Sequence, residues 1–130
     1  MGYKLFLDDS RKIIEVIFYI KDPIYTQDGW KVAKNYDEFV SIVTEFGLPD
    51  YVSFDHDLAD IHYQHKEGEE IDYSKYTEKT GYECAKWLVD YCMDKNLPFP
   101  NYRVHSMNGV GRRNIMYYIE NYKRYRLRID

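Results

Sequence analysis

Acidic, histidine and serine side chains occur in three short clusters, each of which follows an apolar run. The clusters are Asp8-Asp9, Asp55-His56-Asp57 and His105-Ser106. Carboxylates held close together cost free energy, because like charges repel and partial burial removes their water. A chain that keeps such groups together is expected to use them to bind a cation, to move a proton or to accept a group. The alternative is that each cluster is a polar turn or a helix cap.

Carboxylates that share a crevice need a counter-charge, and a hard cation such as Mg²⁺ is the natural one. The candidate metal ligands are Asp8, Asp9, Asp55 and Asp57. We favour Asp8 and Asp55, because Asp9 and Asp57 are as well explained as caps of helices or turns. Arg11 or Arg112 could supply part of the positive charge that these carboxylates need.

The two histidines beside these carboxylates are candidates for acid–base catalysis, because imidazole titrates near neutral pH. His56 and His105 could divide the work between activating a water and protonating a leaving oxygen, with Asp55 as the third catalytic candidate. A histidine on its own is more often structural, so this interpretation depends on the pair. Ser106 could orient a phosphate or act as a nucleophile, and we favour orientation.

The turn from Asn108 to Arg113 is suited to an anion. Its two glycines allow backbone amides to approach a ligand, and the start of a helix favours negative charge. Guanidinium groups add paired donors that match phosphate oxygens. The predicted phosphate-binding residues are Arg11, Ser106, Asn108, Gly111, Arg112 and Arg113.

The charge distribution supports two functional regions of opposite sign. The net charge is −4, yet residues 101–130 contain seven of the 18 basic residues and only two of the 22 acids. This asymmetry suggests an acidic pocket that faces a basic, phosphate-binding region. A basic, solvated helix end is the equally simple alternative.

Apolar runs and capping patterns predict the elements that position these residues. Predicted strands are Tyr3–Leu7, Trp30–Lys34, Tyr51–Phe54 and Tyr102–His105, and the alternating segment Arg126–Ile129 predicts an edge strand. Helices are predicted after Asn35, after Thr80 and from the Asn108–Arg113 turn, the first two with a capping-box glutamate, Glu38 or Glu83. The segment Ile13–Ile20 is compatible with strand, helix or irregular structure.

Strands that alternate with helices predict an α/β fold. We expect a doubly wound, mostly parallel sheet of four to five strands with helices on both faces. The simplest strand order places the first strand beside the third and the fourth next to the third. Ligands bind at the carboxyl ends of such strands, which is where all three polar clusters fall.

Length and composition limit the remaining possibilities. The chain of 130 residues, 45% apolar and 31% charged, predicts one folded domain. No apolar run could cross a bilayer, and no signal peptide precedes the first strand, so we expect a cytoplasmic protein. Cys84 and Cys92 lie too far apart on one predicted helix to form a disulfide. No DNA-binding motif is recognisable, and the oligomeric state is left open.

Residues 59–79 form a long polar segment without periodicity, which we interpret as a mobile insertion. A segment of this length either serves a site or is a surface insertion. As a lid, it could bring His62 or His65 to a substrate.

The ordered motifs resemble the cyclic-phosphate-processing receiver domains, divergent relatives of response-regulator receivers. The matching segments are Leu5–Arg11, Ser53–Leu58, Thr80–Glu83, His105–Asn108 and Gly111–Arg113. The resemblance implies a flavodoxin-like, receiver-like fold and a role on cyclic phosphates such as the 2′,3′-cyclic ends of RNA or nucleotides. Gly109 stands where that family is expected to have proline, and the segment from Lys12 to Gln27 is longer than usual.

Three functions follow from these residues. The leading hypothesis is a phosphoesterase, a hydrolase that acts on a cyclic or terminal phosphate of a nucleotide or RNA. The first alternative is a non-catalytic receiver-like module that accepts phosphate on Asp55 or binds a phosphorylated ligand. Against it, no lysine stands clearly at the end of a fifth strand. The second alternative is a metal-dependent nuclease. Against it, the chain lacks the glutamate that such a nuclease is expected to have on an earlier strand.

Overall fold

Four parallel strands form the centre of the protein in the order β2-β1-β3-β4. The computed structural model describes residues 2–58 and 80–129. The strands are β1 (Lys4–Leu7), β2 (Trp30–Ala33), β3 (Tyr51–Phe54) and β4 (Asn101–Val104). The predicted parallel sheet is confirmed, with the first strand beside the third and the fourth next to the third.

Helices cover both faces of the sheet, but unequally. They are α1 (Ile13–Ile17), α2 (Tyr36–Phe46), α3 (Gly81–Lys95) and α4 (Gly109–Ile129), with a 3-10 turn at Pro23–Thr26. Helices α2, α3 and α4 pack against the face that carries Leu5, Leu7 and Phe54. Among residues 2–58 and 80–129, the elements that pack against the opposite face, around Phe6, are α1 and the 3-10 turn.

The segment whose structure the sequence left undecided begins with the short helix α1. Val16 is fully buried against Phe6 and Tyr25, while Ile14 and Phe18 are exposed. The apolar residues of this segment therefore divide between the small core and the surface, which explains why neither a strand nor a long helix pattern was evident.

Both predicted helix caps form, and each differs from the standard capping box in the backbone amide that one of its side chains binds. Asn35 Oδ1 accepts a hydrogen bond from the Glu38 amide at 2.8 Å, and the Glu38 carboxylate accepts from the Lys34 amide. Thr80 Oγ1 accepts from the Tyr82 amide at 3.1 Å. These bonds satisfy amides that a helix start leaves without partners.

The predicted edge strand Arg126–Ile129 is wrong, because these residues continue helix α4. Ile115, Ile119 and Tyr122 are buried at helical spacing, and the helix they anchor continues past this stripe to Ile129. Tyr122 also donates to the Leu97 carbonyl at 2.6 Å. The period-two alternation at the end of the chain was therefore misleading.

Two further sequence predictions concern the segment 59–79 and the absence of a membrane-spanning helix. The predicted insertion at 59–79, with His62 and His65, lies outside the described residues. Within residues 2–58 and 80–129, no helix is long and apolar enough to cross a membrane.

A substitution at Gly81 tests the close contact between the start of α3 and the backbone of Asp55. A Cβ atom at this first residue of α3 would overlap the Asp55 carbonyl oxygen. We expect Gly81→Ala to lower the free energy of unfolding by about 2 kcal/mol or more, because backbone must move. The matched control is Gly109→Ala, whose nearest atom would be Arg113 Nη1 at 3.8 Å. Urea denaturation of both variants measures the difference, and equal stabilities would contradict the predicted packing.

Candidate active site at the carboxyl edge of the sheet

The strand register brings Asp8, Asp55 and His105 into one row. The Asp55 amide donates to the Leu7 carbonyl and the His105 amide to the Phe54 carbonyl, both at 2.9 Å. One possible ligand atom from each of the three side chains lies within 4.8 Å of the others, and all three residues are buried. Three separate strand ends therefore converge on one group of atoms.

A cavity of about 260 Å³ opens beside this row. The described residues of its lining contribute four carboxylates and one guanidinium group, and their summed charge is negative. The lining residues are Asp8, Asp9, Ser10, Arg11, Asp55, Asp57, Ser106, Met107 and Asn108. We call this space the acidic cavity. It contains every predicted metal ligand, together with Arg11, Ser106 and Asn108 from the predicted phosphate ligands.

Asp8 is held as a carboxylate by donors on both of its oxygens. Oδ1 accepts from the Ser10 amide at 3.0 Å and from the Arg11 amide at 2.8 Å, and Oδ2 accepts from His105 Nε2 at 3.0 Å. Burial alone would raise the pKa of Asp8, but these donors outweigh it and leave the pKa below its usual value.

Asp55 is in the opposite electrostatic situation. Burial, and then the charge of Asp8, raise the pKa of Asp55 from 3.8 to about 6. At neutral pH two carboxylates therefore face each other with too little positive charge between them. This imbalance fits a hard divalent cation, which would bind oxygen atoms of Asp8 and Asp55. Asp57 is more exposed, with 56% of its side chain accessible.

His105 lies beneath the acidic cavity and belongs to a buried chain of hydrogen bonds. Its Nδ1 lies 2.7 Å from Ser53 Oγ, which in turn lies 2.7 Å from the Tyr25 hydroxyl. Phe6 stacks on the imidazole with ring centroids 4.7 Å apart. If Nε2 donates to Asp8 and Nδ1 accepts from Ser53, then Tyr25 donates to Ser53.

Ser53 and Tyr25 were missed by the sequence interpretation. A signal for Ser53 existed, because a residue two positions before Asp55 on a strand lies on the same face of the sheet. Tyr25 gave no such signal, since its contact depends on how the 3-10 turn packs over the second face.

His56 is held at the rim of the site, with 18% of its side chain accessible. Its Nδ1 lies 2.8 Å from Asp57 Oδ1, and its ring packs against Gly111, where a Cβ atom would overlap it. Asn108 Nδ2 donates to the same Asp57 oxygen at 3.2 Å. The histidine next in sequence to Asp55 is thus fixed between a carboxylate and the start of α4. Neither histidine belongs to the lining of the acidic cavity.

The start of α4 is organised differently from the predicted anion-binding turn. Asn108 Oδ1 accepts from the Gly111 amide at 3.0 Å, so Asn108 is the helix cap. Arg112 and Arg113 line a separate cavity beside β4, not the acidic cavity. Arg11 is the guanidinium that the structure brings to the acidic cavity, where Tyr19 accepts from its Nη1 at 2.9 Å.

Ser53→Ala tests the buried chain of hydrogen bonds. The substitution leaves His105 Nδ1 and the Tyr25 hydroxyl without their shared partner, so we expect a loss of about 1–3 kcal/mol in the free energy of unfolding. ¹⁵N chemical shifts of the imidazole should report the Nε2–H tautomer in the wild type and a mixture of tautomers in the variant. An unchanged tautomer in a folded Ser53→Ala protein would show that Ser53 does not set it.

Asp55→Asn tests the unbalanced charge. The contribution of Asp55 to stability is fully present below pH 3.8, its unfolded pKa, and is lost as the pH rises through about 6, its folded pKa. Without divalent cations we therefore expect Asp55→Asn to stabilise the protein by about 1–3 kcal/mol near neutral pH, and by less at more acidic pH.

Thermal denaturation with and without Mg²⁺ extends this test. We expect Mg²⁺ to raise the melting temperature of the wild type more than that of Asp55→Asn, because the cation replaces the missing counter-charge. Asp94→Asn, on the exposed end of α3, is the matched control and should behave as the wild type. A destabilised, metal-free Asp55→Asn protein near neutral pH would contradict the electrostatic argument.

Sequence comparison places the chain in a family. It matches the family described as the cyclic-phosphate processing receiver domain over residues 3–121. Comparisons with curated proteins and with solved structures gave no significant match. The matched residues include all four strands and the whole lining of the acidic cavity. The chain belongs to the family of cyclic-phosphate processing receiver domains, as the resemblance of its motifs indicated.

Proposed function

We propose that this protein is a phosphoesterase that hydrolyses a cyclic or terminal phosphate of a nucleotide or RNA in the cytoplasm, with Mg²⁺ as its cofactor. The observation that carries the proposal is the convergence of Asp8, Asp55 and His105 beside an open cavity. The name of the family is consistent with it. A site with paired carboxylates and an adjacent guanidinium suits a substrate that brings phosphate and needs a cation.

Asp8 and Asp55 would hold the cation, with Asp9 and Asp57 in support. When bound, Mg²⁺ would neutralise phosphate charge and polarise the phosphorus–oxygen bonds. Asp8 is prepared for this role, because His105 and two backbone amides orient it and keep it charged. His105 acts here through Asp8 as a positioning residue, since its own side chain is fully buried.

His56 is the better placed histidine for proton exchange with a substrate. Asp57 fixes Nδ1, which leaves Nε2 for a water or a leaving oxygen. In hydrolysis of a 2′,3′-cyclic phosphate, water forms a new phosphorus–oxygen bond and one bond from phosphorus to a ribose oxygen breaks. The proton released by the water and the proton taken by the ribose oxygen balance, and the product is a phosphomonoester.

Arg11 and Ser106 are the side chains that would receive the phosphate within the acidic cavity. Arg11 lies with its guanidinium carbon 5.2 Å from the ring centre of Tyr19, whose hydroxyl donates to the His105 carbonyl. The guanidinium is thus tied to the end of β4. Ser106 is buried, and its Oγ accepts from the Asn108 amide at 3.1 Å, so its hydroxyl proton is free to donate to a phosphate oxygen.

A receiver-like module that accepts phosphate on Asp55 is the second candidate. It is favoured by the position of this carboxylate, which lines the acidic cavity beside Asp8 at the end of a central strand. Against it, the cation that lines the cavity is Arg11, and the described sheet ends at β4 without a fifth strand. The two candidates differ in whether phosphate stays on the protein.

Turnover of 2′,3′-cyclic nucleotides, followed by ³¹P NMR with Mg²⁺ or Mn²⁺, tests the proposal. We expect phosphomonoester to form with the wild type, and kcat to fall by a factor of about 10² or more in His56→Asn, since general acid–base groups contribute this much. Asp55→Asn should lose activity as well, whereas the exposed control Asp94→Asn should keep it.

The absence of turnover with every divalent cation would contradict the phosphoesterase. Incubation with acetyl phosphate then separates the second candidate, because a phosphorylated Asp55 adds mass to the protein and the Asp55→Asn variant should not gain it.

A further inference from the structure

A second cavity of about 600 Å³ lies beside β4, and its charge is opposite to that of the acidic cavity. Among the described residues, its lining contains three guanidinium groups and no carboxylate. The lining residues are Tyr51, Tyr102, Arg103, Val104, Arg112, Arg113 and Met116. We call it the arginine cavity. Its volume falls within the range of cavities that hold small ligands.

The arginines of this cavity differ in how far they are engaged. Arg103 Nη2 donates to Asp22 Oδ2 at 3.1 Å, so part of its charge is compensated. Arg112 and Arg113 are exposed, and neither has an ion pair or side-chain hydrogen bond with residues 2–58 or 80–129. Two uncompensated charges side by side favour a ligand that carries phosphate.

The other walls of the cavity suit a nucleobase. Two tyrosines and Met116 provide aromatic and apolar surface next to the guanidinium groups. Bases in single strands stack on tyrosine rings and on guanidinium planes. An acidic peptide would match the charge, but it would make little use of such flat surfaces.

Residues at the start of α4 line both cavities. Asn108 lines the acidic cavity, and Arg112, four residues later, lines the arginine cavity. The Arg112 amide donates to the Asn108 carbonyl at 2.9 Å, which closes this turn. Four helical residues rise by about 6 Å, a separation that one nucleotide can span.

We propose that the arginine cavity binds the nucleotides next to the reacting phosphate, so that the substrate is the end of a single-stranded RNA rather than a free nucleotide. This inference rests on the proposed phosphoesterase function. The main observation in its favour is that Arg112 and Arg113 line a cavity one helical turn from Asn108, which lines the acidic cavity.

Binding of a fluorescein-labelled octauridylate with a 3′-phosphate, measured by fluorescence anisotropy, tests this inference without requiring turnover. We expect Arg112→Gln/Arg113→Gln to weaken binding about tenfold or more, and to reduce the slope of log Kd against log salt by about 1.4, since each single-strand phosphate contact contributes about 0.7.

The matched control is Arg124→Gln/Arg128→Gln, which removes the same charge from exposed positions of α4 outside the arginine cavity. It should change Kd by less than about twofold if the effect is local rather than due to net charge. Equal weakening in both double variants would overturn the proposal. Failure of the wild type to bind the oligonucleotide, or equally tight binding of an oligoglutamate of the same length, would also overturn it.

Kinetics separate this inference from the function on which it rests. With turnover present, Arg112→Gln/Arg113→Gln should raise KM more for a cyclic-phosphate-ended oligonucleotide than for a 2′,3′-cyclic mononucleotide, and an equal change would overturn the arginine cavity alone. If no substrate is hydrolysed but binding depends on the arginine pair, the phosphoesterase is wrong and the arginine cavity remains a site for single-stranded RNA.

Discussion

The repulsion between the carboxylates of Asp8 and Asp55 is the constraint on which the site depends. The parallel register of β1 and β3 places the two residues side by side at the end of the sheet. Hydrogen bonds from His105 and from the Ser10 and Arg11 amides keep Asp8 charged. Burial, and then repulsion from Asp8, raise the pKa of Asp55 to about 6. This arrangement supports the proposal that a cation binds between the two carboxylates.

The unequal covering of the sheet explains how this constraint is supported. The face packed by the three long helices carries the large apolar core. The thinner layer formed by α1 and the 3-10 turn covers Phe6, Ser53 and His105, and it brings Tyr25 into hydrogen-bond distance of Ser53. A polar chain can be buried here because each member has a partner. The thin layer thus serves the site, whereas the thick one stabilises the fold.

Much of the fold followed from the sequence, because apolar runs end sharply at charged residues and because caps mark the helix starts. The convergence of Asp8, Asp55 and His105 followed from the same reasoning, since parallel strands end at one edge. The sequence could not show which of these side chains line the acidic cavity and which are buried beneath it. His105 points below the acidic cavity into a chain through Ser53 and Tyr25, which requires knowledge of the tertiary packing.

The arginines are a second case of this limit. A turn rich in glycine and arginine predicted one anion site, but the path of α4 depends on Gly111 packing against His56. With that contact made, Asn108 caps the helix and lines the acidic cavity, while Arg112 and Arg113 line the arginine cavity. The acidic and the basic residues that differ in position along the chain therefore line two neighbouring cavities and do not face each other across one.

The opposite pKa shifts of Asp8 and Asp55 also bear on whether the protein is a switch or a catalyst. A phosphate-accepting aspartate must be ionised, and the hydrogen bond from His105 is made to the neighbouring Asp8 instead. Environments that separate the pKa values of two adjacent carboxyl groups are typical of sites that divide acid and base roles. Here the donors around Asp8 keep its pKa below the usual value, while burial and the charge of Asp8 raise the pKa of Asp55 to about 6. The hydrogen bond from His105 to Asp8 thus supports the proposal of phosphate chemistry over signalling alone.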